Sequence, residues 1–410
     1  MYILGIDFGS RYLKCALCVQ NMETAEITVL KLFKTKHRAS KKGSISDLVK
    51  AKEAFAEITE KIGNEFTEEI DRYVISISGE NVGSYTGTST IPLWKQENEE
   101  RRMKINKAHV NEVLKAAKMT AYNKDDKTEI HSIPQEFQID DQPPTQNPVD
   151  MSGIKLKGTV YVIQTDKGHK ENLSAIMEDA GIENYRIVFS PLATAEAVTD
   201  EEDKESGVIV VSVNDQTTEL AIYLNGIVRM AKVIPYGSNN ITKDLKIVLK
   251  TDYKTANDIK KNDVNAFSQD TDAEKMISIS KNSSSETTDY SERYVSKVAE
   301  ARLKEIYEFV TKEIYKGAYQ RMIHSPVIIT GPGSRIQGAE KLFGHMNNSK
   351  TVTGTMEGIR TKDQNVTDEY FTSVGLVKYA VNNDIFSEDG DDSRQKGIIE
   401  RIKEFLRDLL

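Results

Sequence analysis

At 410 residues the chain exceeds what one hydrophobic core usually serves, so two or more packed units are expected. Its 38% apolar and 29% charged composition suits a folded protein, and a net charge of −8 argues against nucleic acid as a partner, which needs clustered Lys and Arg. Cys15 and Cys18 are the only cysteines, so no disulfide framework holds the fold and a reducing compartment is the simpler reading.

Residues 2–7 form an apolar run with no basic leader before it, so no secretory signal is expected. No apolar run reaches the ~20 residues that span a bilayer, which leaves a cytoplasmic protein with peripheral membrane contact at most. Gly9 and Ser10 supply a turn, and a strand resumes over 12–19. The spacing of Cys15 and Cys18 invites a redox or zinc reading. In a strand, however, residues three apart face opposite sides, and the six His are scattered, so two packing residues are expected. A helix is expected from about residue 46, with Leu48, Val49, Ala51, Ala54, Phe55 and Ile58 at helical spacing and Ser44 or Ser46 as its cap. Residues 73–78 read as a buried strand closed by Gly79.

Between 81 and 158 the texture changes: a strand ending near Leu93, a charged stretch, a helix over 107–119, a strand around Ile133, and a Pro- and Gln-rich loop over 142–148. This reads as an inserted subdomain. Residues 158–163 return to a buried strand, followed by a helix over 170–180 that ends at Gly181. The second half then restarts the programme: strand 207–213, polar turn 214–216, strand 217–224, and an Asn225-Gly226 hairpin into 227–234. Two such units imply a duplicated α/β fold with two related halves. Residues 268–291, rich in Ser, Thr, Asp and Asn, read as an exposed hairpin or mobile loop. A helix is expected over 294–320, and a strand over 327–330 runs into Gly331-Pro332-Gly333-Ser334.

A strand ending in Asp7, followed by Gly9, Ser10 and Lys14, suits a nucleotide's phosphates. Backbone N–H groups face the oxygens, Lys14 supplies charge, and Asp7 is placed to hold hydrated Mg²⁺. A tight turn without a ligand would read the same way. The polar turn at Asn214 and the Gly-rich turn at Gly331 favour a closed cleft.

The segment Ile6-Asp7-Phe8-Gly9-Ser10-Arg11-Tyr12-Leu13-Lys14 resembles the first phosphate loop of the FtsA family of bacterial division proteins. His131 to Phe137 and Asn147 to Gly153 are similar to the family's own subdomain, and Val233 to Gly237, Ala301 to Ile306 and Ile329 to Ser334 match in order and spacing. The resemblance implies an actin-like fold (the actin/Hsp70/sugar-kinase superfold) with ATP between its halves. It also implies self-association into protofilaments, recruitment of other cell-division proteins, and binding of the C-terminal tail of the tubulin-like protein FtsZ at the cytoplasmic membrane surface. Laid on the chain, it gives subdomain 1A over 1–79, 159–190 and 370–386, subdomain 1C over 80–158, 2A over 191–224 and 301–369, and 2B over 225–300. The nucleotide contacts implied are Asp7, Gly9, Ser10, Arg11, Lys14, Asn214, Thr217, Gly237, Lys260, Gly331, Gly333 and Ser334. Arg302, with Lys297 and Lys304 beside it, is the implied contact for the FtsZ tail, although a solvated helical face is the ordinary alternative.

This sequence departs from the superfamily at the nucleotide. Where Asp-Ile-Gly-Gly-Gly-Thr-x-Asp is usual it has Ser212-Val213-Asn214-Asp215-Gln216-Thr217-Thr218-Glu219, without the acidic first residue or the glycines. Pro332 removes an N–H from the adenosine loop, and Asn257 stands where an acidic ribose contact is common. ATP binding with weak or no hydrolysis is the expectation. A small-molecule kinase or a pilus-type scaffold of the same superfold is the alternative.

After an acidic linker over 387–395, Ile398, Ile399, Ile402, Phe405, Leu406, Leu409 and Leu410 form one apolar stripe of a helix over 396–410, with Lys396, Arg401 and Lys403 off the stripe. The stripe suits a membrane surface or docking on the body. The resemblance implies the membrane.

Overall fold

The computed structural model describes all residues except 95–101, 122–125, 282–286, 318, 320, 321, 324, 364 and 387–410. Its first half is built on a six-stranded sheet in the order Tyr185–Phe189, Arg72–Ile77, Tyr2–Phe8, Tyr12–Gln20, Ile27–Lys36, Arg360–Thr361. The first three strands of the chain form an antiparallel meander, and Arg72–Ile77 and Tyr185–Phe189 add in parallel. The second half repeats this wiring. Val208–Val213, Thr218–Leu224 and Ile227–Ile234 form the meander, and Val327–Thr330 and Thr351–Thr353 add in parallel. Strands such as Val208–Val213 are buried at every residue because helices cover both faces, which is why they read as continuous apolar runs. Asn225 and Gly226 take φ of 54° and 71°, the left-handed pair that a two-residue hairpin needs.

Helices Ser190–Val198 and Phe371–Asn382 lie against each other between the sheets. Every residue of the first is buried, as are Phe371 to Ala380 of the second. Neither was expected from the sequence, because a helix that is apolar all round has no amphipathic stripe. Their backbones touch at Gly375, where a Cβ would lie 1.8 Å from the Ala193 carbonyl oxygen.

The inserted unit is a three-stranded sheet, Gly83–Pro92, Lys155–Asp166 and Lys127–Ile139, backed by helix Lys107–Ala121. Here the expected boundary at 158/159 is corrected: it would cut Lys155–Asp166, which pairs along its length with the two other insert strands. Alternation explains the dual reading. Leu156, Val160 and Val162 pack in the insert's own core, while Tyr161 and Ile163 face the main core. Ile227–Ile234, expected in subdomain 2B, is the edge strand of the second sheet, and Arg360–Thr361, expected in 2A, joins the first. The insert grips that edge strand: the Tyr161 hydroxyl accepts from Ala231 N at 2.8 Å and donates to its carbonyl at 3.2 Å, and Gln135 Nε2 donates to the Val228 carbonyl at 3.0 Å.

Helix Leu48–Glu65 is capped by Asp47, which accepts from Lys50 N at 3.1 Å, not by Ser44 or Ser46; the Ser46 hydroxyl turns back to the Ala39 carbonyl. Val49 points to solvent instead of joining the apolar face. Of the stretch expected to be exposed over 268–291, Ser268 and Thr271 are buried, and Met276–Ser280 pairs with Thr287–Ser291 as a hairpin. The long helix spans Glu292–Lys316, capped by Ser291, and so starts and ends earlier than expected. Cys15 and Cys18 are both fully buried, and burial pushes both thiols up.

Candidate functional site

The loop after strand Tyr2–Phe8 and the turn after Val208–Val213 face each other across a cleft of about 430 Å³. Register places charge on its floor, since Asp7, Lys14 and Lys34 are cross-strand partners on three successive strands. Lys14 Nζ lies 2.7 Å from Asp7 Oδ2 and donates to the Glu369 carbonyl at 2.8 Å, while Ser76 Oγ donates to Asp7 Oδ1 at 3.1 Å. Both Asp7 oxygens are thus engaged, so a cation at Asp7 must compete with Lys14.

Of the expected nucleotide contacts, Asp7, Gly9, Ser10, Arg11, Lys14, Asn214, Thr217 and Lys260 line this cleft. Gly237, Gly331, Gly333 and Ser334 are not among its lining residues. A Cβ at Gly237 would meet Asn214 O at 2.6 Å and Thr217 N at 2.7 Å, and one at Gly333 would meet Val213 Cγ1 at 2.3 Å. Gly331 has φ of 82°, and Ser334 Oγ is spent on the Gly331 carbonyl at 2.7 Å. These four let the turns pack behind the phosphate loops, a role sequence spacing does not separate from ligand contact. Pro332 itself lines the cleft, as do Lys34, Lys261, Arg335, Asp215 and Glu219.

Two residues replacing the usual glycines bridge the halves. Asp215 Oδ1 lies 3.3 Å from Arg11 Nη2, and Arg11 also donates to the Tyr253 hydroxyl. The Tyr253 hydroxyl donates to Asn239 Oδ1 at 2.7 Å. Gln216 Oε1 accepts from Lys42 N at 3.1 Å. The chain's own side chains therefore tie the two halves together beside the cleft. Lys260, buried and donating to the Ser238 carbonyl at 3.3 Å, has its ammonium pushed down to about 8 by burial.

Glu219, absent from the expected contacts, lies on the floor, an acidic residue inside the otherwise apolar strand Thr218–Leu224. It accepts from Ser78 Oγ and Ser190 Oγ, each at 2.8 Å, and burial pushes its carboxyl up from 4.5 to about 7. The folded state therefore binds the extra proton between those values, so Glu219 favours folding at low pH and loses that contribution as pH rises through about 7. Glu219→Gln is expected to be more stable than wild type by about 1–3 kcal/mol near pH 8 and equal to it near pH 4, read by urea denaturation at both values.

On the long helix the three expected cations do not converge. At about 100° per residue Lys297 and Lys304 share one face, and Arg302 points roughly 140–160° away. Arg302 Nε and Nη2 hold both Asp244 oxygens and Nη1 reaches Glu305, while Lys304 pairs with Glu300 at 2.6 Å. Lys297 is exposed and has no ion pair among the described residues. Beside Arg302, on its face, Phe309 stacks on Tyr236 with centroids 5.0 Å apart.

The expected membrane stripe, Ile398, Ile399, Ile402, Phe405, Leu406, Leu409 and Leu410 with Lys396, Arg401 and Lys403, lies outside the described residues, as does the acidic linker. The described chain ends at Phe386, whose ring sits 5.6 Å from the Arg72 and 5.4 Å from the Arg186 guanidinium carbon. Among the described residues no helix is long and apolar enough to cross a membrane.

Two family models match this chain, one described as cell division protein FtsA over residues 215–375 and one as the SHS2 domain inserted in FtsA over residues 79–164. The second coincides with the three-stranded insert. The cell division protein FtsA of Pseudomonas aeruginosa is 25% identical over 383 residues, covering 92% of this chain and 89% of that protein. That of Escherichia coli K12 is 23% identical over 385 residues, covering 92% and 90%. Among solved structures, a PilM-PilN type IV pilus biogenesis complex aligns with a TM-score of 0.62 at 12% identity, covering 92% of this chain and 98% of that one. MreB5 of Spiroplasma citri bound to ADP aligns with 0.55 at 12% identity, covering 92% and 95%. At that identity they establish the fold alone, and it is actin-like.

Proposed function

The chain belongs to the FtsA family of cell division proteins, and from that membership we propose that it is a nucleotide-binding adapter that polymerises and anchors FtsZ filaments to the cytoplasmic face of the membrane. Its terminal helix over 396–410 is the anchor, and other division proteins assemble on the same polymer. The cleft binds ATP as a structural ligand with little turnover. MreB5, of the same fold, is described as bound to ADP, which supports a nucleotide here. The lining supports it too, since Lys14, Lys34, Arg11, Lys260, Lys261 and Arg335 suit a polyphosphate. Bound ATP would supply no chemistry beyond bridging the halves. Lys14 would face its phosphates, and the Lys260 side would face its sugar.

The observation that carries low turnover is the pinning of the second phosphate loop. Asp215 and Gln216 stand where flexible glycines would let backbone approach phosphate, and both are tied to the opposite half. Turnover measured on the purified protein should lie far below the roughly 1 per second of an ordinary slow enzyme, and a value near that figure would remove this part of the reading. The same pinning disfavours the small-molecule kinase. The pilus-type scaffold shares only the fold.

The FtsZ tail is assigned to the Arg302 face. Arg302→Glu would set three carboxylates together with Asp244 and Glu305 and should weaken binding of an acidic tail peptide at least about tenfold. Lys304→Glu, on the other face, should leave it unchanged. Equal losses in a fluorescence-anisotropy titration would contradict the assignment.

A further inference from the structure

We propose that the insert is a brace that fixes the angle between the two halves, with His131 and Gln135 as its two grips and Tyr161 as its clasp. The insert grows out of the first half, because strand Lys155–Asp166 runs straight into helix Lys167–Asp179, and its Tyr161 and Ile163 share the main core. At His131 it holds that half. Nε2 accepts from Phe189 N at 2.9 Å, and the Tyr379 ring packs edge-on with centroids 5.6 Å apart. Further along the same strand, at Gln135, it holds the other half. Nε2 donates to the Val228 carbonyl at 3.0 Å, and Oε1 accepts from Arg229 Nη1 at 3.2 Å. Gln146 Nε2 adds a bond to the Asn225 carbonyl at 3.2 Å, in the hairpin that opens the same edge strand.

Two facing β-bulges build the second grip. In the insert, Glu136 pairs with Thr159 and Pro134 with Val160, so Gln135 has no residue opposite it. In edge strand Ile227–Ile234, Met230 pairs with Ile222 and Val228 with Tyr223, so Arg229 has none either. A bulge re-aims a side chain, and here the two bulged residues are aimed at each other. The Tyr161 hydroxyl completes the contact by taking both the N–H and the carbonyl of Ala231, as a neighbouring strand would. Two units joined only through a modest interface are expected to rotate about it. The insert adds an attachment away from the cleft, since none of its residues is among those lining it. The braced strand ends at Ile234, just before Gly237, which packs on Asn214 and Thr217 in the turn that faces the cleft. A hinge motion that opens the cleft must therefore break or drag the insert contacts. Insert attachment and cleft width are one equilibrium, whatever ligand the cleft takes.

The test is the distance between spin labels placed by Met22→Cys and Ile247→Cys, both exposed and one on each half, in the full-length protein; Cys15 and Cys18 are fully buried and stay unlabelled. One narrow distribution is expected with the brace intact. Gln135→Ala combined with Tyr161→Phe should broaden it or add a second, longer distance. The Ala231 amide should then exchange with deuterium at least about tenfold faster, while the amides of Val208–Val213 keep their rates. Tyr319→Phe removes a bond to the Arg229 carbonyl from within the second half and should leave the distribution unchanged. An unchanged distribution in the double variant overturns the proposal, even with faster exchange at Ala231, and so does equal broadening by Tyr319→Phe. If the double variant does not fold, each single substitution is read by the same criteria.

Discussion

Gly375→Ala is expected to cost the protein about 3 kcal/mol or more, a large part of the roughly 5–15 kcal/mol by which a folded protein exceeds its unfolded state. The added methyl would lie 1.8 Å from the Ala193 carbonyl oxygen, 2.7 Å from its carbon and 3.1 Å from Ala197 Cβ. Those first two atoms are backbone, so no rotamer change relieves the clash. Helices Ser190–Val198 and Phe371–Asn382 would have to part, and both are buried between the two sheets with no solvent side to move toward. The same movement would disturb Gly5, where a Cβ would lie 1.9 Å from the Ser373 carbonyl oxygen. Gly168→Ala is the matched control. It sits in helix Lys167–Asp179 with nothing within 4 Å, so the substitution should stabilise by up to about 1 kcal/mol. Urea denaturation of the three proteins reads the difference. Equal midpoints for Gly375→Ala and wild type would show that the two helices are not in backbone contact.

Removal of residues 396–410 is expected to abolish binding to anionic liposomes while leaving the body folded. On the helix that the sequence spacing leads us to expect, seven apolar side chains would share one stripe, and full burial of each is worth roughly 1.5–3 kcal/mol. At half the lower value they sum to roughly 5 kcal/mol, nearly four powers of ten in partitioning before the cost of ordering a short helix is subtracted. Arg394, Lys396, Arg401, Lys403 and Arg407 add attraction to anionic headgroups, so raised salt should weaken binding without removing it. Unchanged co-sedimentation of the truncated chain would move membrane contact to the body.

The strands were legible because burial on both faces writes them as apolar runs, and the Asn225-Gly226 turn because only special residues accept two left-handed positions. The insert was legible by texture, but its last strand was assigned to the body. Residues 158–163 carry apolar side chains on both faces, and only pairing shows which sheet they join. The two central helices left no periodic trace because they have no exposed side. In the cleft, Asp7, Lys14 and Lys260 could be read from local motifs or from resemblance. What could not be read was who holds them. Arg11 and Asp215 meet across the two halves, as do Lys42 and Gln216, and Arg302 looked like an available cation until Asp244 was placed against it. Long-range charge pairing is a property of topology, and a one-dimensional scan sees only the charges.

A chain that links FtsZ polymers to lipid, as we propose, should carry FtsZ down with anionic liposomes in the presence of ATP, which a co-sedimentation assay measures. FtsZ is expected to pellet with liposomes only when the full-length chain is added, to remain in the supernatant when residues 396–410 are removed, and to be largely lost from the pellet with Arg302→Glu, although that variant itself still pellets. FtsZ pelleting equally with the truncated chain, or not at all with the full-length one, would contradict the account.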